Sequence, residues 1–240
     1  MKKLFVGVIV IVVLVVGATG AILGIVPVLS SLIGAGQKDL GIRYTVEESL
    51  AARQKSGGTE IIPLPKGTSS ADDFRLEGKK PMQFTMSSTE LTAHSNNRPW
   101  KNYPVKNLQI KIHEDGTIEG SAILVVSKAM PYAMGLGYSE EQIRAAMKTY
   151  SIPPFEVPIY VVGKGSVKND KVQVDANAVK IGAIPIPGDI VARANQEAES
   201  VLNDLIRKHA DAFHAEEVSF ANGMMTFVGA VPEKEYVITE

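Results

Sequence analysis

Cysteine is absent from all 240 residues. That excludes disulfides, thiolate metal sites, a cysteine nucleophile and the lipidated cysteine of a bacterial lipoprotein. A basic excess is also lacking: from Asp39 onward 22 basic side chains face 26 acidic ones, so that part carries a net charge of −4. A surface of that sign excludes the electrostatic footprint of a nucleic-acid binder. No serine stands in a G-x-S-x-G elbow or an S-x-x-K pair, so nucleophilic hydrolysis has no local signature. Gly163-Lys164-Gly165-Ser166 lacks the spacing of a phosphate loop and precedes strand-like sequence, which makes it a turn or bulge. No repeat of fixed period is present.

Charge is missing altogether between Leu4 and Gln37, and fifteen Val, Ile, Leu and Phe residues lie between Leu4 and Ile25. As a helix, Leu4 to Val26 would be about 34 Å long, enough to cross a hydrocarbon core of about 30 Å. Lys2 and Lys3 precede it, and cations on so short a tail favour the cytoplasmic side. The expectation is a single-pass cell-membrane protein, N-terminus in and C-terminal domain out. A cleaved signal peptide with small residues at Gly17 to Ala21 is the alternative, disfavoured because strong hydrophobicity resumes from Ile22 to Ile33.

The expected fold class is α+β, a transmembrane helix followed by an antiparallel sheet wrapped on a long helix. Three parts are expected: residues 1–36 as cytoplasmic tip and anchor, 37–79 as a short helix and linker, and 80–240 as an extracytoplasmic α+β domain. Thr45-Val46-Glu47-Glu48 reads as a capping box opening a helix to about Lys55. The Gly, Pro, Ser and charge of residues 56–78 read as a mostly irregular spacer. Met82 to Met86 reads as a strand, with Ser87 or Ser88 capping a short helix that carries Leu91 inward. Leu108, Ile110 and Ile112 alternate with polar residues, and Thr117 to Val126 returns antiparallel after Glu114-Asp115-Gly116. Ser139 to Gln142 is a further capping box, and Ile143, Met147 and Tyr150 line one helix face. Phe155 to Val162 and Lys171 to Ile181 form a hairpin about Asn169-Asp170, with a bulge near Ala178-Val179. Pro187 opens a long helix with Ile190, Ala194, Ala198, Val201, Leu205 and Ile206 on one face. Asn222-Gly223 joins a last hairpin.

Two binding surfaces are candidates. Strand Ile159 to Val162 is apolar on both faces, as it would be if one face packed on the long helix and the other lined an acyl-chain groove. The groove residues would be Ile159, Val161, Val172, Val174, Val201 and Leu205; an ordinary doubly covered strand gives the same pattern. Arg98, Trp100, Lys101 and Tyr103 interleave cations with the only Trp, a composition suited to a lipid headgroup layer or a partner protein; a packed, capped loop is the plain alternative. His209, Asp211 and His214 lie close in sequence, but the histidines fall about 140° apart around a helix and suit no single metal. His94 and His113 have no acidic partner at catalytic spacing. No metal, cofactor or nucleic acid is expected.

Phe84-Thr85-Met86-Ser87-Ser88-Thr89-Glu90-Leu91-Thr92, the block from Val157-Pro158-Ile159, and Ile181-Gly182-Ala183-Ile184-Pro185-Ile186-Pro187 leading into a long helix carry a resemblance. Together with the N-terminal anchor they resemble the YpmS-like family of membrane-anchored proteins of Gram-positive bacteria, over roughly residues 82–232. This chain has Thr92-Ala93-His94 where the family tends to carry Asn-Ala-Leu, and a longer insertion around residues 56–80. The order of strands and long helix is similar in turn to TULIP-like lipid-binding domains. The function of the YpmS-like family is largely undefined, and the TULIP likeness implies an elongated sheet wrapped on a helix with an apolar groove. The expectation drawn from them is a non-enzymatic, membrane-tethered domain that binds a lipid or other amphiphile at the cell envelope. The alternative is a module docking on an envelope or cell-division protein.

Overall fold

The computed structural model describes residues 36–149 and 156–239. It is α+β and mostly antiparallel. Among the described residues no helix is long and apolar enough to cross a membrane. The expected span Leu4 to Val26 lies outside them.

The first helix, α1 (Val46–Lys55), starts as the capping box requires: the Thr45 side chain accepts from the Glu48 N–H, and Glu48 reaches back to the Thr45 N–H. Strands β1 (Glu60–Pro63) and β2 (Phe74–Glu77) then form a three-stranded sheet around β11 (Lys234–Val237), with β1 parallel and β2 antiparallel to it. The spacer expected at 56–78 is therefore part of the folded body. Its polar, Gly- and Pro-containing sequence has few local strand signals, and the strands form because the far end of the chain supplies their hydrogen-bond partners. Ser56, Thr59 and Asp73 are fully buried here, and the Thr59 hydroxyl donates to the Pro232 carbonyl at 2.9 Å.

The large sheet runs in the order β3 (Lys80–Ser87), β10 (Met224–Val231), β9 (His214–Ala221), β6 (Val157–Lys168), β5 (Ile118–Leu124), β4 (Val105–Ile112). β7 (Lys171–Ile181) pairs with the other side of β6 and with the short β8 (Ile184–Pro185). The turns are set by local chemistry. Asn169, Asp170 and Asn222 adopt positive φ (49°, 63° and 53°), a region that Asn and Asp tolerate better than other side chains, with Gly223 beside Asn222. The bulge expected near Ala178-Val179 occurs as a register shift opposite Val162/Gly163. Gly163 belongs to β6, and a Cβ on it would lie 2.4 Å from the Asp175 carbonyl oxygen. A second shift, between Lys106 and Gln109, was not expected; it places Asn107 at φ 55° while Leu108, Ile110 and Ile112 still point inward.

Five α-helices are described, α1, α2 (Ser88–Asn96), α3 (Ala129–Gly135), α4 (Glu140–Thr149) and α5 (Gly188–Lys208), with a short 3-10 turn at Val126–Lys128 leading into α3. The box at Ser139/Gln142 forms as expected, and of the two expected caps Ser87 is the one used, in a box that Glu90 closes. Of the expected inward residues, Met147 lies in α4 but its side chain is outside what the structure describes, as is Tyr150 altogether. Pro187 sits at the N-cap of α5, one position before the helix begins. α5 spans two hydrophobic clusters. Ile190, Val191 and Ala194 pack with Val157, Ile159, Val161 and Val179, whereas Leu202, Leu205 and Ile206 pack with Val172, Val218 and Phe227. Each such large side chain stabilises the fold by roughly 1.5–3 kcal/mol.

Both outer strands of the β4-to-β7 half of the sheet are closed by helices in the same way. On α2, the Ser88 hydroxyl accepts from the Ile112 N–H at 2.9 Å, and the Thr92 hydroxyl accepts from the Ile110 N–H at 2.9 Å and donates to its carbonyl at 3.3 Å. The Asn96 amide pairs with both backbone groups of Leu108, at 2.9 and 2.6 Å. On α5, Asn203, Glu199 and Asn195 accept from the N–H groups of Val172, Val174 and Ala176 at 2.9, 2.8 and 3.2 Å. Helix residues four apart rise about 6 Å and strand residues two apart about 6.7 Å, so one polar side chain per turn meets every second strand residue. An open edge would otherwise template pairing with another chain.

Candidate functional site

A cleft of about 590 Å³ opens where the chain emerges into the described region, lined among others by Gln37, Ile42, Arg43, Tyr44, Thr92, Asn96, Arg98, Trp100, Tyr103, Lys106, Gln109 and Lys128. Four of its lining residues are cations, and none of those described is a carboxylate. The floor comes from the β4 bulge and α2, one wall from the Arg98 to Tyr103 loop, and the other from the extended segment before α1.

That segment is strapped to the open face of the sheet. Gln37 Nε2 donates to the Asn107 carbonyl exposed by the bulge at 2.6 Å, and the Leu40 N–H donates to Gln109 Oε1 at 2.7 Å. Lys38 Nζ bonds Tyr160 Oη at 2.6 Å and Glu119 Oε2 at 3.0 Å, and lies 3.8 Å over the Tyr160 ring. The Ser121 hydroxyl donates to the Lys38 carbonyl at 2.5 Å. The Tyr160 hydroxyl donates to Glu119 at 2.6 Å, and this bond is the largest cause holding the Glu119 carboxyl down at about 2. His113 Nε2 is 2.8 Å from Glu119 Oε1. His113 therefore does have an acidic partner, six residues on across a hairpin turn; it belongs to the strap.

The Arg98 to Tyr103 loop is built inward. Trp100 is 2% exposed, stacked on Phe74 with ring centroids 4.9 Å apart and tilted against Tyr132 at 4.6 Å, and its indole N–H donates to Asp73 Oδ2 at 3.1 Å. Asn102 donates to the same oxygen. Gly135 makes this packing possible: a Cβ there would fall 2.0 Å from Asp73 Oδ1 and 2.9 Å from the indole. Tyr103 is also buried, which pushes its hydroxyl up to about 12. The expected exposed Trp100 interface is thus corrected. The packed, capped loop is what forms, and Lys101 is the exposed member of the four. Trp100 and Tyr103 nevertheless form the cleft's inner wall beside Arg98, whose guanidinium lies 5.6 Å over the Tyr103 ring. Burial lowers the Arg98 pKa, opposed by the charges of Tyr103 and Glu235. The cations differ in availability. Arg43 clasps both oxygens of Asp39, at 2.9 and 2.7 Å, and Lys106 pairs with Glu156 at 2.5 Å. Lys128 makes no ion pair among the described residues.

The six expected groove residues do not come together. Ile159 and Val161 are buried in the cluster around the first half of α5, Val172 and Leu205 in the one around its second half, and Val174 and Val201 pack partly buried against the latter. Along β6, Ile159 and Val161 face the buried side, while Tyr160 and Val162 on the other face are only partly buried. Among the described residues no group of three or more His, Cys, Asp or Glu could hold a metal. His209 stands edge-on to Phe74 at 5.6 Å, and His214 pairs with Asp170 at 2.7 Å. No family model, curated protein or solved structure matches this chain.

Proposed function

We propose that this is a membrane-tethered, extracytoplasmic binding domain whose basic cleft takes the anionic, phosphate-bearing headgroup of a lipid or other amphiphile. The observation that carries the reading is a cleft lined by Arg43, Arg98, Lys106 and Lys128 with no carboxylate among its described lining residues, beside the start of the strap. Arg and Lys there supply charge-assisted donors of the kind that bind phosphate oxygens. Gln37 lines the cleft and is four residues after Ile33, the end of the apolar run, so at most about 14 Å of chain separates them. If Leu4 to Val26 spans a bilayer, the eleven residues from Val26 to Gln37 allow at most about 40 Å, and the apolar run to Ile33 keeps most of that length at the membrane, so the cleft works within reach of the headgroup layer. The resemblance to YpmS-like proteins agrees with an envelope role, with the headgroup held in a polar cleft instead of acyl chains in an apolar groove.

The test is calorimetric titration of the full chain in micelles with a water-soluble short-chain phosphatidylglycerol, the phosphatidylcholine of equal chain length, and inorganic phosphate. The expected result is binding of the anionic lipid that weakens with salt and with Lys128→Glu, and little binding of the zwitterionic one. Binding of inorganic phosphate at equal affinity would reassign the cleft to a free anion. Equal binding of both lipids would sink the reading.

A further inference from the structure

Resting on the tethered reading, we infer that Tyr44, Val46 and Leu50 form an interfacial contact with the lipid bilayer, seating α1 against the membrane beside the basic cleft. Among the described residues these are the large hydrophobic side chains left exposed, at 39%, 70% and 51%. They are also neighbours. Val46 and Leu50 are one turn apart on the same face of α1, and Tyr44, two residues before the helix, is itself a lining residue of the cleft.

The helix cannot roll to hide them. Its opposite face is fixed by Ser49 and Ala52, which are 3% and 0% exposed, by the Ser49 hydroxyl donating to the Ala93 carbonyl at 3.2 Å, and by Lys55 paired with Glu90 at 2.7 Å. The strap through Gln37, Lys38 and Leu40 fixes the chain just before it. An apolar patch held outward, with its Tyr44 end lining the basic cleft, has the mixture that an interfacial segment uses, apolar side chains for the acyl boundary and cations for the headgroups. A second copy of the chain is a poorer occupant, because three side chains fall far short of the roughly 800 Å² per partner of a standard protein interface. A bilayer needs no such area here, since the tether already holds the patch at high effective concentration.

The chain has no cysteine, so one introduced thiol reports one position. Full-length Leu50→Cys, carrying an environment-sensitive fluorophore, is reconstituted into phosphatidylcholine vesicles with and without brominated acyl chains; Asp211→Cys, at an exposed position, gives the solvent value. The expected result is a blue shift at position 50, quenching by the brominated chains, and neither at position 211. The same label at Val46→Cys should lose its quenching when Leu50→Asp is added. A solvent-like, unquenched signal at position 50 overturns the inference, and so does a blue shift without quenching, which would mean that protein covers the patch. Using a purely zwitterionic lipid separates this from the cleft. Quenching there with no anionic-lipid binding would leave the patch and remove the headgroup reading, and the reverse would leave the cleft alone.

Discussion

Thr92→Val isolates the device that closes the β4 edge. Thr92 is fully buried and its hydroxyl serves both backbone groups of Ile110, the tighter contact being the N–H at 2.9 Å. Valine keeps the side-chain shape and leaves a buried N–H without an acceptor, which costs about 1–3 kcal/mol. Thr92→Ser keeps the hydroxyl and removes one methyl, which costs about 0.8 kcal/mol. The isosteric change should therefore be the more damaging, the reverse of what an apolar-burial argument gives. Denaturant unfolding of the full chain in micelles measures the difference. Hydrogen exchange locates it: the Ile110 amide should lose protection in Thr92→Val and keep it in Thr92→Ser. If Thr92→Val is as stable as Thr92→Ser and Ile110 stays protected, the hydroxyl does not hold the edge and the reasoning is refuted.

On α5 the corresponding bonds are only part-buried, so water can replace them, and Asn195→Ala should cost about 1 kcal/mol by the same unfolding assay. Gly135→Ala drives a methyl into Asp73 and Trp100 and should cost about 1–3 kcal/mol, with a change in the emission of the single Trp. Glu119 is held at about 2 chiefly by the Tyr160 hydroxyl, so what it contributes is complete above its ordinary 4.5 and disappears as pH falls through about 2. Carboxyl-carbon NMR should show that midpoint, and Tyr160→Phe should move it up toward 4.5. Burial lowers His209 to about 4 from 6.5, so the folded state loses stability as pH falls from 6.5 toward 4. His209→Gln should flatten that part of the stability profile.

What could be read in the sequence was what neighbouring residues decide between themselves. The turns at Asn169-Asp170 and Asn222-Gly223, the capping boxes at Thr45 and Ser139, the helix cap at Ser87, and the alternation of Leu108, Ile110 and Ile112 are of that kind. Strands β1 and β2 were not, because they pair with β11 at the other end of the chain. The polar stripes Ser88/Thr92/Asn96 and Asn195/Glu199/Asn203 did carry a signal, a hydrogen-bonding side chain every fourth residue on the strand-facing side of a helix. The apolar run from Ile159 to Val162 fits a groove and a doubly covered strand equally, and only packing separates them. The composition of the Trp100 loop marked the right region for the wrong reason. Its aromatics face inward onto Phe74, Asp73 and Tyr132, and the cations of the cleft converge from segments near Arg43, Arg98, Lys106 and Lys128, which no local spacing announces.

Whether the basic cleft receives an anionic headgroup is decided by nitrogen-15 NMR of the full chain as short-chain phosphatidylglycerol is added. Saturable shifts are expected at the Arg98 side-chain Nε–H and at backbone amides of residues 37–44, 92–98, 105–109 and 128, with none of comparable size from phosphatidylcholine. Shifts centred instead on Ile159, Val161, Val172 and Leu205, or no saturable shift anywhere, would contradict headgroup binding in the cleft.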